Sequence, residues 1–129
     1  MSRFDYSYLI NHLKINTARR NFFFEIYVTK QTKDMLAILL ELNVIRRYLP
    51  VTRYKYRIFP SWSAHAPTYR KIKVYGRSVS PIRLSYKALA TIQQIILNSV
   101  LILQTPYGLL THKSALKRKT GGKVICFLL

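Results

Sequence analysis

Between positions 104 and 123 the chain reads QTPYGLLTHKSALKRKTGGK. Thr105 offers a hydroxyl to a phosphate or a base edge, and Tyr107 offers a ring on which a base can stack. Lys113, Lys117, Arg118, Lys119 and Lys123 supply cations that neutralise phosphate charge. Gly121 and Gly122 let a backbone come close to a partner. Together these are the groups of a nucleic-acid contact. Each also has a plainer role: a turn threonine bonds its own backbone, and a turn tyrosine simply faces water. The charge of the whole chain decides between the two.

The elements that must position these residues are legible locally. Thr105-Pro106-Tyr107-Gly108 fits a type I turn, with proline second and glycine fourth. Leu109 and Leu110 return the chain towards the core, and Thr111 is placed to cap a basic helix over 112–119, where a phosphate could sit beside the helix start. Gly121-Gly122 is expected to end that helix and to admit a partner's backbone. The apolar runs at 100–103 and 124–129 read as buried strands on either side.

The chain has 129 residues, of which half are hydrophobic, enough for one compact domain or two small lobes with an ordinary core. It carries 22 Lys and Arg against 4 Asp and Glu, a formal charge of +18. All the acids, Asp5, Glu25, Asp34 and Glu41, lie in the first 41 residues beside six bases; the other 88 residues carry sixteen bases and no acid. Such a field repels itself unless a polyanion neutralises it, whereas a merely solvated surface intersperses the two signs. Nucleic acid is the expected partner, with anionic lipid as the competitor. No apolar run approaches the ~18 residues of a membrane span. The start of the chain has no secretory apolar core, and Asp5 speaks against a cleaved organellar presequence.

Catalysis is not expected. The four carboxylates show no motif spacing, and His12, His65 and His112 form no metal-binding arrangement. Cys126, the single cysteine, excludes an internal disulfide and reads as a buried small hydrophobe. No cofactor, metal ligand set or small-molecule substrate is indicated.

The coarse organisation is α+β in two lobes, 1–75 as an α-β-α-β-β unit and 76–129 as mixed β with short helices. Residues 5–16 carry Tyr6, Leu9, Ile10 and Leu13 at helical spacing, with Asp5 favouring the start. Phe22, Phe24, Ile26 and Val28 alternate as one face of a strand. Thr29 or Thr32 offers a cap with Asp34 in the first turn of a helix built on Met35, Ile38, Leu39, Leu42 and Ile45, and Asn43 is a plausible terminator. Basic strands are expected at 53–59 and 69–75, each with a cationic outer face that meets either RNA or water. Trp62 and His65 lie in the turn-rich loop 60–67, where a side chain folded back on the protein is favoured over an exposed stacker. A short strand over 81–86 and a helix over 87–97, with Ala88, Ile92, Ile95 and Ile96 on one face, lead into the strand at 100–103.

The second lobe resembles the small-subunit ribosomal protein eight family, whose C-terminal pattern is S-T-S-x-G-[IVM]-M-T-D, a basic helix with an alanine, and G-G-E-[IV]-[LI]-C-Y with two last residues. Gln104, Thr105, Pro106, Tyr107, Gly108, Leu109, Leu110, Thr111 and His112 fall on the first run, and residues 121–129 on the last, with identical spacing. Arg83 falls on the arginine of P-G-x-R-[IV]-Y, with Ser80-Pro81 replacing the proline-glycine. Thr29-Lys30 falls on an S-K pair, Asn16 on the asparagine closing the first helix, and Asn43 on a glycine ending the second.

The resemblance implies an α+β protein that binds the central domain of small-subunit rRNA, at a helix with an irregular internal loop, and touches neighbouring small-subunit ribosomal proteins. The implied contact set is Thr29, Lys30, Arg83, Tyr86, Gln104, Thr105, Pro106, Tyr107, Gly108, Thr111, Lys113, Lys117, Gly121, Gly122 and Lys123. The chain departs from the pattern where Gln104 and Pro106 replace serines and Lys123 replaces a glutamate. The loss of the two serines, the aromatic and isoleucine-rich composition and the missing presequence suggest a mitochondrial member, with a plastid or bacterial cytoplasm as alternatives. The competing function is a DNA-binding or nucleoid protein that uses the basic helix to read a duplex.

Overall fold

A computed structural model describes residues 5–63, 66–67, 69, 71–75, 82–96 and 98–129. The expectations for His65, for Ser80-Pro81 and for the stretch 76–81 lie outside these residues. The chain divides into two compact units, residues 1–70 and 71–129. Each combines helices with antiparallel sheet, the expected α+β class.

In the first unit, α1 (Tyr6–Ala18) starts where the Asp5 carboxylate accepts the Tyr8 amide at 3.1 Å. The strand β1 (Phe24–Tyr27) precedes α2 (Lys30–Glu41), and β2 (Ile45–Pro50) and β3 (Lys55–Pro60) follow. Strand β3 is central, with β1 and β2 each antiparallel to it. Thus β1 and β2 run parallel, joined through α2, with β3 inserted between them. Leu9, Ile10 and Leu13 of α1, Met35, Leu36 and Leu39 of α2, and Ile26, Ile45 and Ile58 of the sheet are buried as its core. Two residues each form β4 (Trp62–Ser63) and β5 (Ala66–Pro67), a small hairpin. The Tyr69 hydroxyl is held 2.7 Å from that of Thr17 on α1.

The second unit is built on β10 (Gly122–Leu128). It pairs with β6 (Ile72–Val74), β7 (Arg83–Leu84) and β8 (Val100–Thr105), and β8 pairs in turn with β9 (Gly108–Thr111), giving a five-stranded sheet. Helices α3 (Tyr86–Gln93) and α4 (His112–Lys117) place Leu89 and Ala115 against Leu101, Leu103 and Val124. Cys126 is fully buried in β10.

Several local expectations are corrected. Phe22 is 84% exposed and precedes β1, so the buried alternation starts at Phe24. Thr29, not Thr32, caps α2. Thr32 is the reciprocal partner, its hydroxyl accepting the Thr29 amide at 2.7 Å, and Asp34 lies beyond the first turn. Ile45 is in phase with α2 yet belongs to β2, because Asn43 turns left-handed at φ 61° and ends the helix. On α3 the buried residue is Leu89; Ile95 lies past the helix end and is 74% exposed.

The double glycine does not end α4. Lys119 does, at φ 54°, with its amide bonded to the Leu116 carbonyl at 3.1 Å and the Thr120 amide to Ala115 at 3.0 Å. Arg20 and Asn43 close α1 and α2 with the same pair of bonds. The glycines serve a closer approach. A Cβ on Gly121 would fall on the Leu84 carbonyl oxygen, and one on Gly122 on the Gln104 carbonyl oxygen. The backbone they admit is the chain's own.

His112 is 1% exposed, and its Nδ1 accepts the Leu101 amide at 3.2 Å, which fixes a neutral ring protonated at Nε2. Burial, reinforced by the Lys113 charge, holds its pKa below the ordinary value.

Two outcomes follow from these contacts. Gly121→Ala is expected to lower unfolding stability by about 2–3 kcal/mol through the backbone clash, while Lys119→Gly raises it by ~1 kcal/mol by relieving the left-handed residue; urea titration of both variants measures this. The unfolded chain protonates His112 near pH ~6.5 and the folded chain only lower. Its contribution is therefore present above about pH 6.5 and lost as pH falls below it. His112→Asn keeps an acceptor and removes the titration, so the drop in unfolding midpoint between about pH 7.5 and 5.5 should be smaller than in the parent chain.

Candidate nucleic-acid interface

The turn at the tip of β8 and β9 forms as its residues dictate. Thr105 and Gly108 face each other across it, and Gly108 takes φ 103°, where an L side chain is strained. The Thr105 hydroxyl donates to the Gly108 carbonyl at 2.8 Å and accepts the Tyr107 amide at 3.1 Å. Thr105 is 6% exposed. Its hydroxyl therefore shapes the turn, the plainer of its two roles.

Pro106 and Tyr107 project from the tip, with Tyr107 61% exposed. Tyr107 has a companion that spacing did not reveal. The Arg118 guanidinium stands 5.1 Å from its ring centroid. Arg118 is the residue capping the end of α4, and the following left-handed Lys119 closes that end, so the helix terminus delivers the cation to the ring. The pair offers a ring and a planar cation side by side, both suited to stacking on a base.

Behind the tip, strand register assembles a second cluster. Lys123 of β10 lies opposite Arg83 of β7 on one side and Gln104 of β8 on the other. Arg83 and Gln104 are exposed and Lys123 is half-buried. Like charges directly opposite each other destabilise a ladder. Residues 71–129 contain ten Lys and Arg and no Asp or Glu, so the unit has no acidic side chain to relieve this pair. The arrangement is suited to an external anion.

The remaining expected residues fall in three places. Thr111 caps α4, accepting the Ser114 amide at 3.3 Å, so its hydroxyl is engaged within the fold. Lys113 and Lys117 are exposed one turn apart on α4, and Tyr86 opens α3 at 39% exposure. Thr29 and Lys30 belong to the first unit: Thr29 is tied into the capping box with Thr32, and Lys30 is exposed. Gly121 and Gly122 are packed against β7 and β8 as described, and their contribution is to bring Arg83, Gln104 and Lys123 into one row. Among the described residues no three His, Cys, Asp or Glu gather as a metal site, and no helix is long and apolar enough to cross a membrane.

A search of curated proteins found no match. The family model described as Ribosomal protein S8 matches residues 7–129, nearly the whole chain and both of its units. The chain belongs to the ribosomal protein S8 family, whose members are structural ribosomal proteins that bind rRNA.

Proposed function

We propose that this protein is a structural component of the small ribosomal subunit that binds the rRNA central domain, through the β8–β9 tip, the start of β10 and the basic face of α4. The observation that carries the reading is the row of Arg83, Lys123 and Gln104 in a unit without a single acidic side chain. Phosphates neutralise the opposed cations, and each phosphate contact releases counterions, which supplies most of the hold. Tyr107 and Arg118 add a stacking platform for an unpaired base of an irregular loop.

Lys123 stands where the family resemblance places a glutamate, so a group that would accept hydrogen bonds from bases or ribose is replaced by one that seeks phosphate. The buried, internally bonded Thr105 hydroxyl supports the same shift from hydrogen-bond discrimination to electrostatic hold. The loss of the serines at 104 and 106 and the isoleucine- and aromatic-rich composition support a mitochondrial member, assembled beside other small-subunit proteins.

Affinity for a central-domain rRNA helix with its internal loop, measured against duplex DNA across a salt series, tests the reading. The rRNA should bind more tightly at matched salt, with log K falling by about 0.7–0.9 per phosphate contact for each decade of salt. Lys123→Glu should reduce that slope by about 1. Tyr107→Ala should weaken binding by about tenfold and leave the slope unchanged. Tighter binding to duplex DNA would favour the nucleoid reading instead.

A further inference from the structure

The outer face of the first unit's sheet carries a connected row of cations and rings that the interface above does not use. Register places Glu25 opposite Arg57, Tyr27 opposite Lys55, and Arg47 opposite Phe59. The Arg47 guanidinium stands 4.6 Å from the Phe59 ring centroid, and Phe59 lies 5.8 Å from Phe23. The Arg57 guanidinium stands 4.6 Å from Phe23 and donates to Glu25 at 2.9 Å. Lys55 pairs with Glu25 at 3.4 Å and stands 5.8 Å from the Tyr27 ring. Phe24, Ile26 and Ile58 on the opposite face are buried, so this row belongs to the face turned away from the core. Phe23, Tyr27 and Leu49 on it are 44%, 49% and 44% exposed.

Charge alone would keep such a face soluble, and lysines would serve that purpose without half-exposed rings. What the row adds is flatness. A guanidinium lying on one ring keeps its other side for a second planar group. An acidic peptide would use the charge of these residues and would gain nothing from the Phe23 and Phe59 rings. Three cations against one carboxylate, that carboxylate already held by Arg57 and Lys55, leave the face positive.

We propose that this face is a second RNA contact surface, taking unpaired bases onto the planes of Arg47, Arg57 and the adjoining rings. It goes beyond the interface of the second unit and rests on the same RNA-binding reading.

The test uses the full chain with a short unstructured oligouridylate. Ultraviolet crosslinking and mass spectrometry should place adducts on Phe23, Tyr27 or Phe59. Arg47→Lys with Arg57→Lys keeps the charge and removes the planes; affinity should fall about tenfold with an unchanged salt slope. Adducts confined to 83–123, or unchanged affinity in the double variant, would overturn the proposal and leave the second-unit interface standing. Lys55 crosslinked to another protein in the assembled particle would overturn it in favour of a protein partner. No binding of oligouridylate or of rRNA by the unaltered chain would remove the RNA-binding reading and this inference with it.

Discussion

The second unit depends on the passage of one glycine pair between two carbonyls. Gly121 and Gly122 bring the start of β10 against Leu84 on one side and Gln104 on the other, closer than any side chain permits. From there β10 runs as the shared partner of β6, β7 and β8. Without that approach β7 and β8 could not both pair with it near its start. Arg83, Lys123 and Gln104 would then not share a row, and the hairpin carrying Tyr107 would lose its neighbour. The glycines thereby set the row that the candidate interface uses.

Electrostatics divides the two units. In the first, Glu25 accepts from Arg57 and pairs with Lys55, and the guanidinium holds its carboxyl below the usual carboxylate range. In the second, every Lys and Arg lacks an acidic side chain within its own unit. Self-repulsion of this kind weakens an isolated fold and is relieved by a bound polyanion. An rRNA-binding protein gains affinity from the repulsion that a free-standing one would need to avoid.

What the sequence could show was whatever rests on neighbouring residues. Asp5 and Thr111 cap their helices, Asn43 takes the left-handed conformation, and residues 105–108 turn as their types require. Features that depend on distant parts of the chain were hidden. Ile45 keeps the α2 periodicity because the first residue of β2 falls in phase with the helix beyond the break at Asn43. The strand β2 escaped notice because a bulge between Ile45 and Arg47 disrupts its alternation. The double glycine looked like a helix stop, since only the folded sheet reveals the carbonyls it avoids. Arg118 was one basic residue among several until the end of α4 set it against Tyr107.

Crosslinking in the native particle, with sequencing of the attached RNA, tests the central claim most directly. Small-subunit rRNA from the central domain should be recovered, attached within residues 104–123. Recovery of large-subunit rRNA, of DNA, or of no nucleic acid on that segment would contradict it.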